Sequence, residues 1–354
     1  MASEIKPTIL LIYHDCDLVF YKAFDRLAER GGYRVVVAAP DDARLPDVPH
    51  LSRIGTAAIR SKFSIKAHRA LRRNIKDTGA SIVFCVSTSA LANALWAARG
   101  TGAAVAGYRG TQARVHRFDP TYRMALLNRR TAAIVCETED ICSYLAAYIP
   151  AHKLSWRLKP YMREWIEAQI ADPAPLEGSG LQICCVGMMK DRPHKGLRHL
   201  IDAMHILNGM GVDCHLTVVG SADDADIAAA PGNVTFTGPR PDAPRFIAAA
   251  DVLAMPSTRD ASPRVVREAQ ACGKPCVVSD IKGARDLIIA SGSRQSGILA
   301  TAASPEAFAE ALRQLADDRA GREKMGANGI ANITENYNLD SYVDYLESVF
   351  ADLK

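Results

Sequence analysis

Short apolar runs alternate with amphipathic stretches along most of the chain, a rhythm that predicts parallel βαβ construction and not an all-helical or all-strand protein. In the first half the runs at 8–13, 33–39, 81–86, 103–108 and 132–136 read as strands; in the second half, those at 181–186, 214–220, 234–237, 251–255 and 275–279 do. Between the two sets lies 171–180, Ala-Asp-Pro-Ala-Pro-Leu-Glu-Gly-Ser-Gly, polar and rich in Pro and Gly, which reads as a linker. The boundary is therefore expected at 172, with one domain over 1–172 and a second over 173–336. A closing segment, 337–354, sets Tyr342, Tyr345, Leu346 and Phe350 at helical spacing.

The length of 354 residues exceeds the usual single core and agrees with two domains. No run of about 18 apolar residues occurs, so no membrane span is expected. The opening Met-Ala-Ser-Glu-Ile-Lys lacks the charged-then-apolar layout of a signal peptide, and the expected location is the cytoplasm, at the inner face of the cytoplasmic membrane. Of the cysteines, Cys85, Cys136, Cys184, Cys185, Cys214 and Cys276 sit in or beside strand-like runs and read as small buried hydrophobes. Cys272 and Cys276 have no second ligand pair downstream, so no metal site is expected.

Charge changes the picture more than composition does. Residues 1–170 hold 25 Lys and Arg against 15 Asp and Glu, a net +10, while the remainder carries −6. The excess concentrates in Arg60, Lys62, Lys66, Arg69, Arg72, Arg73 and Lys76, and again in Arg114, Arg117, Arg123, Arg129 and Arg130. Two readings stay open: a solvated helix face, or a dock for an anionic acceptor or an anionic membrane. No aromatic platform or known motif points to nucleic acid.

The densest candidate chemistry lies at 257–279, where Asp260 and Glu268 stand eight positions apart around a strand-to-helix turn. Pro256 and small polar residues open the helix, whose free N–H groups favour an anion; Gly273 and Pro275 stop it. The run Glu268-Ala-Gln-Ala-Cys-Gly-Lys-Pro-Cys-Val277 resembles the family-4-type retaining glycosyltransferases, also called glycosyl transferases group 1, whose pattern is an acid, seven residues, then Glu and Ala-x-Ala-Cys-Gly-x-Pro-Val. Asp260 stands where that family usually has Glu, and Ser262-Pro263-Arg264 replaces its Gly-rich turn. The resemblance covers 181–290 strongly and implies the GT-B fold, two Rossmann-like α/β domains facing a central cleft, with the terminal helix crossing back to the first domain.

The same resemblance implies roles. The segment from Gly187 to Gly196 is similar to the family's Gly-Arg-…-Lys-Gly motif, with Lys195 matching the Lys, Met188 in place of the Arg, and Arg192 or Lys190 as its substitute. Lys195 and Arg192 would hold the donor diphosphate, Asp260 the donor sugar and Glu268 the ribose hydroxyls. The backbone of Ala261, Ser262, Pro263 and Arg264 would meet sugar and phosphate, and Gly238 and Arg240 lie in a segment that faces the base. The N-terminal domain departs most, carrying Tyr13-His14-Asp15-Cys16-Asp17 where a Gly-rich loop is common. Asp15, Arg109, Gly110, His116 and Asp119 are its acceptor-side candidates.

The implied function is a retaining transfer of sugar from a nucleotide diphosphate sugar to an acidic glycan or glycolipid of the cell envelope, without cofactor or metal. Two alternatives remain open at this point. One is a nucleotide-sugar epimerase or phosphorylase of the same fold, and the other is a degenerate member that binds an anionic surface or partner.

Overall fold

A computed structural model of the chain describes residues 6–14, 16–111, 114–116 and 118–353. The strands are β1 (Thr8–Ile12), β2 (Arg34–Ala39), β3 (Ser52–Gly55), β4 (Ile82–Cys85), β5 (Ala104–Arg109), β6 (Thr131–Cys136) and β7 (Leu154–Trp156), then β8 (Leu181–Val186), β9 (Cys214–Val219), β10 (Val234–Gly238), β11 (Val252–Met255), β12 (Cys276–Ser279) and β13 (Gly297–Ala300). The helices are α1 (Leu18–Glu29), α2 (Ile65–Thr78), α3 (Thr88–Ala97), α4 (Pro120–Met124), α5 (Glu139–Leu145), α6 (Glu167–Ala171) and α7 (Leu197–Gly209), then α8 (Asp224–Ala229), α9 (Ala243–Ala249), α10 (Arg264–Ala271), α11 (Lys282–Arg285), α12 (Pro305–Asp317), α13 (Arg319–Asn336) and α14 (Leu339–Ala351).

The chain divides into two compact units. Unit 1 holds residues 1–160 and 339–354 around a parallel seven-stranded sheet of order β3-β2-β1-β4-β5-β6-β7. Unit 2 holds residues 161–338 around a parallel six-stranded sheet of order β10-β9-β8-β11-β12-β13. Both orders are doubly wound: the chain builds outward from a first strand in one direction, then returns and builds in the other. The central strands read as apolar runs because helices cover both faces; every residue of β1, β4, β9, β11 and β12 is buried.

Unit 1 closes its core with sequence-distant residues. Phe20, Phe24, Val35, Val37 and Phe84 pack with Tyr342, Leu346 and Phe350 of α14, and the Phe350 ring lies 5.9 Å from Phe24 and 5.8 Å from Phe84. Arg26 of α1 and Arg30, which follows its last turn, pair with Asp340, and Arg30 with Asp344, along the rim of that contact. In unit 2 the core joins Ile183, Leu216 and Val218 of the sheet to Leu200, Ile201 and Met204 of α7 and to Phe308 and Leu312 of α12.

The units part after Pro160, whereas the Pro/Gly-rich stretch placed the boundary at 172. Residues 161–174 belong to unit 2 because their backbone is tied there: Tyr161 N donates to Tyr337 O at 2.9 Å, Ala174 N to Arg245 O at 3.1 Å, and Arg245 Nε to Asp172 O at 2.7 Å. Strands β3, β7 and β13 are additional to those read from the sequence. All nine cysteines are free, and the six read as buried hydrophobes are buried.

Candidate functional site

In a doubly wound sheet the strands that start the two directions leave a crevice beyond their C-terminal ends, because the loops following them turn to opposite faces. In unit 2 those strands are β8 and β11. The loop after β8 carries Gly187, Met188, Arg192 and Lys195; the loop after β11 carries Arg259, Asp260 and Ser262. Residues 65 positions apart in sequence meet there: Lys195 Nζ donates to Asp260 Oδ2 at 2.7 Å, with both side chains partly buried. The backbone holds the two loops together, since Thr258 N donates to His194 O at 2.8 Å.

Glycines permit this close approach. Gly196 has φ +72°, and a Cβ on it would overlap the carbonyl oxygen of Pro256. Gly220, ending the β9 turn at φ +138°, has its Cβ direction filled by the carbonyl of Gly187. Only glycine fits a position that combines left-handed backbone with direct contact against a neighbouring backbone. On the far side, Gly283 at the start of α11 presses against the carbonyls of Asp260 and Ala261. The Asp260 loop is thereby clamped between two backbone segments.

Burial lowers the pKa of the His194 imidazole, and Arg259, Lys195 and Arg192 lower it further, opposed by Asp260. Arg192, Lys195 and Arg259 thus bring positive charge to the ring, partly offset by Asp260, and positive charge suits a diphosphate. Arg259 was not among the residues picked out by sequence, because a lone arginine beside an acid has no spacing signal. An entering nucleoside diphosphate is expected to raise the His194 pKa, since two phosphate groups offset the three cations. Titration of the histidine ring signals by NMR with and without UDP checks this, and an unchanged pKa would remove the diphosphate from this loop.

Along α10, Glu268 is buried and its carboxyl is raised above the ordinary range by that burial, with Arg264 and Arg267 opposing the rise. Arg264 Nε lies 3.0 Å from Glu268 Oε1. Arg267 Nη1 donates to Ser262 Oγ at 3.0 Å, and Ser262 N to Asp260 Oδ1 at 3.3 Å, so Ser262 is fixed from both sides. Pro263 caps the helix and Ala261 precedes it. Gly238, at φ +71°, accepts from Gly220 N through its carbonyl at 2.9 Å, which brings the end of β10 next to the β8 and β9 turns. Arg240 makes a two-bond pair with Asp242, 2.9 Å at each nitrogen, and lies over the Phe246 ring.

Unit 1 has its own switch point, between β1 and β4. There Ser87 Oγ, the cap of α3, lies 2.6 Å from His14 Nδ1. Asp15 lies outside the described residues. Arg109 ends β5, nearly buried, and its Nε donates to Thr111 O at 3.0 Å. Gly110 follows with Glu137 and Tyr108 filling the space a side chain would need. Lys159 Nζ sits 2.9 Å from Asp17 Oδ2 and 3.7 Å from Glu137 Oε1, and lies over the rings of Phe20 and Tyr108. Asp119 caps α4, accepting from Thr121 N at 2.8 Å, a bond that lowers its carboxyl pKa; exposed His116 precedes it by one turn. The sequence named Arg109, Gly110, His116 and Asp119 but not His14, Ser87, Glu137 or Lys159. Those four lack motif spacing, and the pairs His14–Ser87 and Lys159–Glu137 meet only through the tertiary fold.

Two parallel sheets of this order in one chain, one bearing a cationic switch point, define the GT-B class of glycosyltransferase fold. The Anabaena protein HepE, solved in complex with UDP-glucose, superposes with a TM-score of 0.73 over 97% of this chain and 99% of that one, at 16% identity. Residues 180–318 match the family model described as Glycosyl transferases group 1. Among curated relatives, a D-inositol 3-phosphate glycosyltransferase of Corynebacterium diphtheriae is 36% identical over 121 residues, which are 34% of this chain and 27% of the relative. A UDP-Gal:alpha-D-GlcNAc-diphosphoundecaprenol alpha-1,3-galactosyltransferase of Escherichia coli is 30% identical over 116 residues, covering 33% and 29%. The chain thus spans little more than a quarter of the length of the curated relatives it matches.

Proposed function

We propose that the protein is a retaining glycosyltransferase that moves a sugar from a nucleotide diphosphate sugar to a hydroxyl of an acidic glycan or glycolipid. The observation that carries this reading is the Lys195–Asp260 pair set among Arg192, Arg259 and His194 at the unit 2 switch point. Cations fixed beside a diphosphate stabilise the charge that gathers on it as the sugar–oxygen bond breaks. Glu268 takes the ribose hydroxyls, with exposed Arg264 as the partner they displace. Asp260 accepts from sugar hydroxyls while Lys195 bridges it to the phosphates.

In this scheme the acceptor oxygen bonds to the anomeric carbon on the face from which the diphosphate departs. The bond to the phosphate oxygen breaks, and the acceptor proton passes to that oxygen. Nucleoside diphosphate leaves, and the protein positions both partners and supplies charge. HepE was solved with UDP-glucose, and the E. coli relative is named for a UDP-Gal donor, which favours UDP as the nucleotide. That relative's diphosphoundecaprenol acceptor, together with the +10 charge of residues 1–170, favours an anionic, lipid-linked acceptor and peripheral contact with an anionic membrane.

The test is a thermal-shift panel of UDP, GDP, ADP, CDP and dTDP. A ligand that binds only the native state stabilises by RT ln(1 + [L]/Kd), about 2.7 kcal/mol at 100-fold excess over Kd. One nucleotide, expected to be UDP, should raise the melting temperature, and Glu268→Ala should lose most of that shift. Silence across the panel from folded protein would sink the transferase reading.

A further inference from the structure

We propose that unit 1 carries a binding pocket for an anionic sugar at the end of its sheet opposite the β1–β4 switch point. The inference rests on the acidic-glycan reading of the acceptor for its purpose, adding a second site that holds a remote unit of that glycan. Saccharide binding is read without any turnover.

A cavity of about 530 Å³ opens there, lined by Arg123, Leu127, Asn128, Arg129, Ala147 and Tyr148. That volume lies within the range of small-ligand sites. Its place follows from topology. Residues 125–130 carry the chain from α4 into the first residue of β6, and Ala147 and Tyr148 follow α5, which has run back along β6. In a parallel sheet both segments therefore lie at the N-terminal ends of the strands. His14, Ser87 and Glu137 instead follow the C-terminal ends of β1, β4 and β6. The six residues of β6, roughly 20 Å of strand, stand between the two places.

Charge and shape select the ligand. No Asp or Glu occurs from 120 to 136 or from 141 to 163, whereas Arg123, Arg129 and Arg130 fall in the first stretch and His152 and Lys153 in the second. Two guanidinium groups lining one concavity match a carboxylate or a phosphate, which takes paired N–H donors. The exposed Tyr148 ring, with Leu127 and Ala147, adds apolar surface that the C–H face of a sugar can cover. An inorganic anion would use the arginines and leave that surface wet. A sugar bearing an anionic group uses both.

The walls are fixed before a ligand arrives. Leu127 N donates to Tyr122 O at 2.8 Å, Arg130 N to Asn128 Oδ1 at 3.0 Å and Thr131 Oγ1 to Ala125 O at 3.0 Å, which closes the turn on itself. Lys153 Nζ donates to the carbonyls of Arg129 and Thr131, each at 2.9 Å, and ties that turn to the start of β7. The Tyr148 ring lies 5.5 Å from that of Tyr144, whose hydroxyl accepts from Val115 N at 2.8 Å. Groups ordered by folding add little ordering cost to binding. The C-terminal end of α5 is the wrong pole for an anion, but its last carbonyl, Leu145 O, already accepts from Tyr148 N at 2.8 Å and Ile149 N at 2.9 Å.

Isothermal titration of the full chain with trigalacturonate, glucose 1-phosphate, maltotriose and inorganic phosphate tests the proposal. One of the two anionic sugars is expected to bind at least about tenfold more tightly than maltotriose or phosphate, and which one tells carboxylate from phosphate. Arg123→Gln with Arg129→Gln should weaken that binding about 100-fold, and Tyr148→Ala about threefold. Lys66→Gln with Arg69→Gln, on the exposed face of α2, should leave it unchanged. An unchanged melting temperature shows that the variants are folded; if the double arginine variant melts early, Arg123→Gln alone, expected to lose about tenfold, decides. Inorganic phosphate bound as tightly as either anionic sugar would leave an adventitious ion only. That result, equal binding of maltotriose, no saccharide binding, or binding that survives the loss of both arginines would each overturn the proposal. Saccharide binding with a silent nucleotide panel would uphold the pocket while sinking the transferase reading, and a UDP-induced shift without saccharide binding would do the reverse.

Discussion

Replacing Lys195 with alanine is expected to lower turnover by about 10²- to 10³-fold, the range for removing one preorganised charge-stabilising donor from an active site. Lys195 is the cation that touches Asp260, at 2.7 Å, and it sits where the loops after β8 and β11 meet. Under the proposed mechanism its loss acts twice: the departing diphosphate is less stabilised, and Asp260 remains partly buried without its ion-pair partner. The second effect can be separated. If Asp260→Asn alone costs as much as Lys195→Ala, and the double variant costs little more than either, the pair acts as a unit. Release of nucleoside diphosphate from the donor identified by thermal shift is the readout. A Lys195→Ala enzyme within about threefold of the parent would remove this lysine from transition-state stabilisation.

The largest expected effect on stability is Gly220→Ala. At φ +138° a non-glycine residue is strained by roughly 1–3 kcal/mol, and the added methyl also overlaps the Gly187 carbonyl, so the β8 and β9 ends must separate. For a domain of unit 2's size each kcal/mol moves the melting temperature by about 2–4 °C, so a fall of roughly 5–10 °C is expected. The site suffers too, because Gly187 N bonds to Val219 O at 2.9 Å across the same gap. Gly209, with nothing near its Cβ direction and a helical conformation in α7, is the control. There alanine should stabilise by about 0.4–1 kcal/mol. Differential scanning of the two variants decides the matter, and a Gly220→Ala protein as stable as its parent would contradict the described packing.

What the sequence disclosed follows from how strongly each segment is constrained. Every strand paired on both sides was legible, because burial on two faces demands an unbroken apolar run. The strands that went unread, β3, β7 and β13, each end a sheet and pair with one neighbour. Ser52–Gly55 is almost wholly exposed, and a four-residue edge strand needs no apolar pattern.

The site was legible where residue types are fixed by chemistry and opaque where they are fixed by topology. Lys195, Asp260 and Glu268 stood out in motifs, but nothing along the chain says that the first two touch. Arg240, in the segment whose backbone was read as facing the base, pairs with Asp242, and Asp119, an acceptor-side candidate, also caps α4; neither local bond was visible in the sequence. His14 and Ser87 meet only because β1 lies beside β4 in the sheet.

The return of α14 to unit 1 carries a consequence for biosynthesis. Unit 2 is continuous from 161 to 338, so all of its core is available once those residues have left the ribosome. Unit 1 is interrupted: Phe24 and Phe84 lack Phe350 until more than 260 further residues have been made, counting from 84 to 350. During that interval the groove awaiting α14 is exposed apolar surface, a target for chaperones and for aggregation. The half of the molecule translated first is therefore the half that finishes folding last.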